Sequence, residues 1–153
     1  MQTFLPYPDF ALTAKALDWR RLGKQRIEAR QIIETLIGIS SGWNNHPAVK
    51  MWRGHEVALS MYLKSIIDEW VSRGYRNEAQ FVQVIDRRHV KILFGGRPGV
   101  ILKTSKTIMP PWLGNKSFHA SHRSNLLRKD RAWYSRFEWK EPPSLPYVWP
   151  TVR

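Results

Sequence analysis

From about Ala14 to Ile39 apolar residues recur at helical spacing, at Leu17, Leu22, Ile27, Ile32, Ile33 and Leu36. This pattern predicts one long helix, weakened locally by Gly23. The stretch before it, MQTFLPYPDF, reads as extended, because Pro6 and Pro8 each disfavour helix in the residue that precedes them. SSGWNNHP then interrupts the helical pattern. A second helix is predicted from Pro47, which suits a first helical position, with Asn45 or His46 as its cap. Val49, Trp52, Leu59, Leu63, Ile66 and Trp70 form its apolar stripe, and Gly74 stops it. Residues 78–88 read as a short third helix. HVKILF and GVILKT flank GGRPG and predict a β-hairpin. MPPWLG is a loop, Ser117 to Arg131 a last helix, and EPPSLPYVWPTVR an extended tail with its rings packed on the body. The expected class is mainly α: a single helical domain over residues 1–153 with one small hairpin insertion.

At 153 residues and 42% hydrophobic content the chain can bury a real core. It lacks cysteine, which excludes disulfides, zinc ribbons and thiol chemistry. No apolar run approaches a bilayer span, and the first ten residues lack the basic and apolar regions of a signal peptide, so a cytoplasmic protein without membrane contact is expected. The net charge of +13 changes the picture most. Between Arg87 and Lys140 stand thirteen Lys and Arg against two acids, interleaved with Trp112, Phe118, Trp133, Tyr134, Phe137 and Trp139. A membrane-surface helix would segregate its faces. Cations mixed with flat rings suit phosphate contact and base stacking, which points to nucleic acid.

The segment RRLGKQRIEAR, residues 20–30, holds a single acid, Glu28, among four Arg and one Lys. Arg21, Lys24, Gln25 and Glu28 follow at offsets of three, four and seven and share one helical face. One reading is a surface Lys24–Glu28 pair worth about a few tenths of a kcal/mol. The other is a catalytic carboxylate that meets a polyanion. His119 and His122 lie three apart, but no further ligands stand near them in sequence, so no metal or cofactor is expected. His46 reads as a helix-start residue, and Trp133 and Tyr134 as either core anchors or stacking rings. GGRPG lacks the spacing and lysine of a phosphate loop.

Three motifs, in order, carry a resemblance. The leading helix holds Leu17-Asp18, then Leu22, then Glu28. A turn with His46-Pro47 opens a long helix that ends in Arg73-Gly74-Tyr75. The last helix carries His119, Leu126, Leu127 and Lys129, followed by Trp133-Tyr134. With this order and spacing the chain resembles the pyrimidine-dimer DNA glycosylases of the endonuclease V type, over most of its length except about Asn77 to Ile108. The resemblance implies a compact helical enzyme, monomeric, that binds damaged double-stranded DNA, excises one base of a cyclobutane pyrimidine dimer and nicks the abasic strand. In that family the N-terminal α-amine attacks the sugar and forms a Schiff base, with a glutamate supporting the sugar chemistry. An α-amine is a weaker base than a lysine ammonium's parent amine, so more of it is neutral and nucleophilic near neutral pH.

The resemblance makes Met1 and Glu28 the expected catalytic pair. DNA contacts are expected from Arg21, Lys24, Gln25, His46, His119, Arg123, Lys129, Arg131, Trp133 and Tyr134. Some positions depart from the family pattern. Gln2 is bulky, which keeps Met1 in place, so the amine is that of Met1 itself. Ile27 and Gln31 replace two familiar arginines, which leaves open a modified pyrimidine other than the dimer. Lys24 is the alternative nucleophile. Two other readings remain: a non-catalytic nucleic-acid-binding protein with the same fold, and an enzyme on free nucleotides or another sugar-linked base.

Overall fold

Among the described residues helices are the main elements, and they pack around an apolar core. The computed structural model describes residues 1–77, 80–86, 89–94, 99–103 and 109–150. Its elements are α1 (Phe10–Ala16), α2 (Trp19–Leu36), α3 (Pro47–Trp52), α4 (Glu56–Ser72), β1 (Gln80–Asp86), β2 (His89–Phe94), β3 (Val100–Lys103), α5 (Lys116–Lys129), α6 (Arg131–Tyr134) and a short 3-10 turn, Ser135–Phe137. The mainly α class read from the sequence is what the structure has.

The helix predicted over 14–39 divides in two. Leu17 is extended, and Asp18 is the N-cap of α2, its carboxylate buried and hydrogen-bonded by the Tyr134 hydroxyl. On α2, Leu22, Ala29, Ile32 and Ile33 face the core, whereas Ile27 is 44% exposed and lies off the stripe. The second predicted helix also divides, into α3 and α4. Gly54 between them has φ +84°, a left-handed turn that a side chain would strain. His46 is the N-cap of α3, its Nδ1 accepting from Ala48 N at 3.0 Å, and Gly74 ends α4 at φ +91°.

The predicted third helix over 78–88 is corrected: residues 80–86 form strand β1. FVQVID is rich in β-branched and aromatic residues, and that propensity wins once a neighbouring strand is available. The expected hairpin of β2 and β3 is present, and β1 extends it to a three-stranded antiparallel sheet of order β1-β2-β3. Its turn, Gly95 to Pro98, lies outside the described residues. Val82, Val90 and Ile92 are buried, and the sheet packs on α4. The last predicted helix stops at Lys129. Asp130 breaks it and caps α6, accepting from Trp133 N at 3.0 Å.

Helix α5 has an unusual interior. His119, Ser121, His122, Ser124 and Asn125 are all buried on it. These polar groups hold two extended segments that, among the described residues, have no sheet partner. His119 and His122 bond Leu5, and Arg123 donates to Pro6 O at 2.8 Å. On the other side, Leu145 N donates to Ser124 Oγ at 2.9 Å and Val148 N to Ser121 Oγ at 3.1 Å, while Asn125 Nδ2 donates to Leu145 O at 3.1 Å. Buried backbone groups need partners, and here side chains supply them. Among the described residues no helix is long and apolar enough to cross a membrane.

Candidate active site

The first five residues run through the interior, with Gln2, Thr3, Phe4 and Leu5 buried. Gln25 is their central partner. Its Oε1 accepts from Phe4 N at 3.0 Å, and its Nε2 donates to Gln2 O at 2.9 Å and to Glu28 Oε2 at 3.0 Å. The Tyr62 hydroxyl lies 2.8 Å from Phe4 O and 2.6 Å from Gln25 Oε1, with one proton to share between them. Burial raises the Tyr62 phenol well above its ordinary value, so it stays a donor. Trp52 Nε1 donates to Thr3 Oγ1 at 2.9 Å.

Leu5 fixes the tautomers of two histidines. Its N–H donates to His122 Nδ1 at 2.9 Å, which leaves the His122 proton on Nε2. His119 does the reverse: Nδ1 donates to Leu5 O at 2.7 Å, and Nε2 accepts from Gly114 N at 2.9 Å. Both rings are therefore neutral. Burial accounts for this, pushing His119 below its ordinary value and His122 down to about 3.

This anchored strand delivers the N-terminus to Glu28. Gln2 N donates to Glu28 Oε2 at 3.3 Å. Backbone geometry keeps the Met1 amine within about 4 Å of that nitrogen. Met1 and Glu28 both line a cavity of about 430 Å³, together with Gln2, Phe4, Arg20, Arg21, Lys24, Lys129 and Tyr147. Four cations thus surround one carboxylate. Their crowding is felt by Lys129, whose ammonium is held below its ordinary value by burial and by Arg21, Arg128 and Lys24, with Glu28 opposing. An anion in the cavity would relieve that repulsion. His46 stands close enough to feel both partners. Burial and the N-terminal amine lower its value, and Glu28 raises it.

The structure brings Met1, Arg21, Lys24, Glu28 and Lys129 together, with His46 alongside. Other expected site residues lie elsewhere. Gln25, His119 and Tyr134 are buried with their polar atoms bonded inside the protein, and they hold the site rather than face solvent. Arg123 is tied to Glu141 and to Pro6 O. Trp133 donates to Ala16 O at 2.8 Å and lies under Arg136, 3.7 Å from its guanidinium. Arg131 is exposed on α6, outside the cavity lining. The sequence reading missed Arg20, Tyr147, Trp52 and Tyr62 as site components. Tyr62 carried the clearest signal, a hydroxyl within the apolar stripe of α4, where it must find a buried partner.

A family model described as pyrimidine dimer DNA glycosylase matches residues 1–83, more than half of the chain. The chain belongs to the pyrimidine dimer DNA glycosylase family. No curated protein and no solved structure matches in the other two comparisons. The matched part of this pyrimidine dimer DNA glycosylase family member includes Met1, Gln25, Glu28, Trp52 and Tyr62, so both the amine–carboxylate pair and most of the strand's anchors fall within it. Lys129 and Tyr147 complete the cavity from outside it.

Proposed function

We propose that the protein excises a damaged pyrimidine, a cyclobutane dimer in the first instance, from double-stranded DNA and then cleaves the abasic strand. Met1 supplies the nucleophile and Glu28 the carboxylate. The neutral amine attacks C1′ of the lesion nucleotide. The glycosidic bond breaks, its electrons leave with the base, and the base takes up a proton. The nitrogen then loses a proton, the C1′–O4′ bond opens as O4′ takes one up, and a protonated imine joins Met1 to C1′. Glu28 stabilises the positive charge that develops on the sugar, and it next accepts a proton from C2′. The C3′–O bond then breaks as the phosphate departs, which nicks the strand. Water hydrolyses the imine and returns the amine. Arg20, Arg21, Lys24 and Lys129 hold the flanking phosphates.

The observation that carries this reading is the 3.3 Å contact of Gln2 N with Glu28 inside a cavity ringed by cations. Glu28→Gln keeps the shape and removes the charge, so it tests chemistry rather than packing. The variant is expected to bind ultraviolet-irradiated duplex DNA like the parent and to lose strand cleavage. Cleavage at the parental rate would remove Glu28 from the mechanism. A parent that binds but never cleaves would favour the non-catalytic binding protein.

A further inference from the structure

The margin of α2 that faces away from the cavity carries a second pair of cations. Arg26 and Arg30 stand two residues before and two after Glu28, so each lies about 200° round the helix from it, and they are one turn apart. Trp70 of α4 fixes the first of them. The Arg26 guanidinium is 4.3 Å from the Trp70 ring, and Tyr75 stacks on the same ring at 4.1 Å and 23°. A ring stacked that closely fills one face and leaves the other to the guanidinium. Trp70 is itself held: its Nε1 donates to Arg76 O at 2.9 Å, and it lies so close to Gly23 that a Cβ there would meet the ring at 3.0 Å. Arg26 Nη1 donates to Asn77 Oδ1 at 3.0 Å. The pair is short of negative charge. Among the described residues Arg26 has no carboxylate partner, and Arg30 has only Glu34, 3.8 Å from its Nε and beyond hydrogen-bond reach. Both Nε atoms are covered by protein and bond nothing among those residues. Burial, and then the charge of Arg30, hold the Arg26 guanidinium below its ordinary value. Two half-buried like charges destabilise one another until an anion joins them.

We propose that Arg26 and Arg30 form a phosphate site separate from the cavity, which takes a second stretch of the duplex backbone. The inference rests on the duplex-DNA substrate of the reading above. A guanidinium held flat on a ring presents its remaining donors in one fixed plane, which suits the oxygens of a phosphate. The cations of the cavity hold the backbone beside the reacting sugar. The pair holds backbone on the other margin of α2, so the duplex is gripped from both sides of that helix. The site adds affinity and no chemistry, because both arginines face away from Glu28.

The test titrates the protein with undamaged duplex DNA over a range of chloride concentrations, so it does not depend on cleavage. Arg26→Gln and Arg30→Gln should each weaken binding and flatten the plot of log affinity against log salt by about 0.9, one phosphate contact. Arg26→Lys keeps the charge and should restore the slope. On ultraviolet-irradiated duplex at saturating protein, the cleavage rate of the Gln variants should stay within about threefold of the parent, as befits a group that holds DNA without touching the reacting atoms. A parental slope in the double Gln variant, with a lowered urea midpoint, would show that the pair only braces α2 on α4. Inorganic phosphate that competes with the duplex more strongly than chloride at equal ionic strength, an effect lost in Arg26→Gln, would give the site to free phosphate and overturn the backbone assignment. A parent that binds duplex with the full slope but never cleaves would overturn the glycosylase reading and leave this site standing, whereas a parent that does not bind duplex would overturn both.

Discussion

The Tyr62 hydroxyl reaches Phe4 O across 2.8 Å, from α4 to the extended N-terminal segment, and both groups are buried. With Gln25 it sets where residues 2–4 run and hence where the chain begins. Among the described residues the extended N-terminal segment pairs with no strand, so a few side chains determine the position of the amine relative to Glu28.

Tyr62→Phe removes that hydroxyl and leaves the Phe4 carbonyl without a donor. The expected cost is about 1 to 3 kcal/mol of stability, from an unsatisfied buried acceptor. Cleavage should fall further than folding explains, roughly ten- to a hundredfold, because small displacements of a nucleophile are costly. DNA affinity should hold, since Tyr62 is fully buried and reaches no phosphate. Urea unfolding, a binding titration and a cleavage assay on the same protein separate the three effects. A parallel loss of affinity and cleavage would contradict the positioning role.

Much of this arrangement was legible in the sequence. The face that joins Arg21, Lys24 and Glu28 followed from helical spacing, and the extended lead followed from Pro6 and Pro8. The burial of Gln25 on that same face did not, because spacing locates a side chain on a helix but not what packs against it. His119 and Tyr134 were expected to contact DNA from the resemblance, whereas His119 bonds the extended N-terminal segment and Tyr134 the cap of α2. A polar residue that bonds an isolated extended strand looks in sequence like one that faces solvent. The breaks at Asp18 and Gly54 were hidden by apolar stripes that continue across them. Strand β1 was hidden because seven residues are too few to separate the two periods.

His122 makes stability depend on pH. Its ring is buried and neutral, with a value pushed down to about 3, below that of an unfolded histidine near about 6.5. Between those values the unfolded chain binds a proton that the folded chain refuses. Stability is therefore fully present above about pH 6.5 and is lost as pH falls towards about 3, at about 1.4 kcal/mol per pH unit from this group. His122→Asn keeps an acceptor for Leu5 N and does not titrate. It should be less stable at pH 7, because ring contacts with Phe118 and Tyr147 are lost. Its urea midpoint should also change less between pH 7 and pH 4. An unaltered pH slope in the variant would contradict this assignment.

Binding to duplex DNA should weaken steeply with salt, since each phosphate neutralised adds about −0.9 to the slope of log affinity against log salt. Lys24→Ala and Lys129→Ala, which remove two of the cavity's cations, should each flatten that slope by roughly one contact, whatever the DNA sequence. A slope unchanged in the double variant would place the phosphates elsewhere on the protein.

The central claim is that the amine of Met1, beside Glu28, is the nucleophile. Borohydride reduction during turnover on ultraviolet-irradiated duplex DNA, followed by digestion and mass spectrometry of the adduct, tests it most directly. The sugar remnant should be found on the α-nitrogen of Met1, with Lys24→Ala trapped as well as the parent and a protein extended by a short uncleaved N-terminal tag not trapped at all. An adduct on Lys24, persisting in the tagged protein and absent from Lys24→Ala, would contradict the claim and move the chemistry to Lys24, one helical turn from Glu28 in the same cavity.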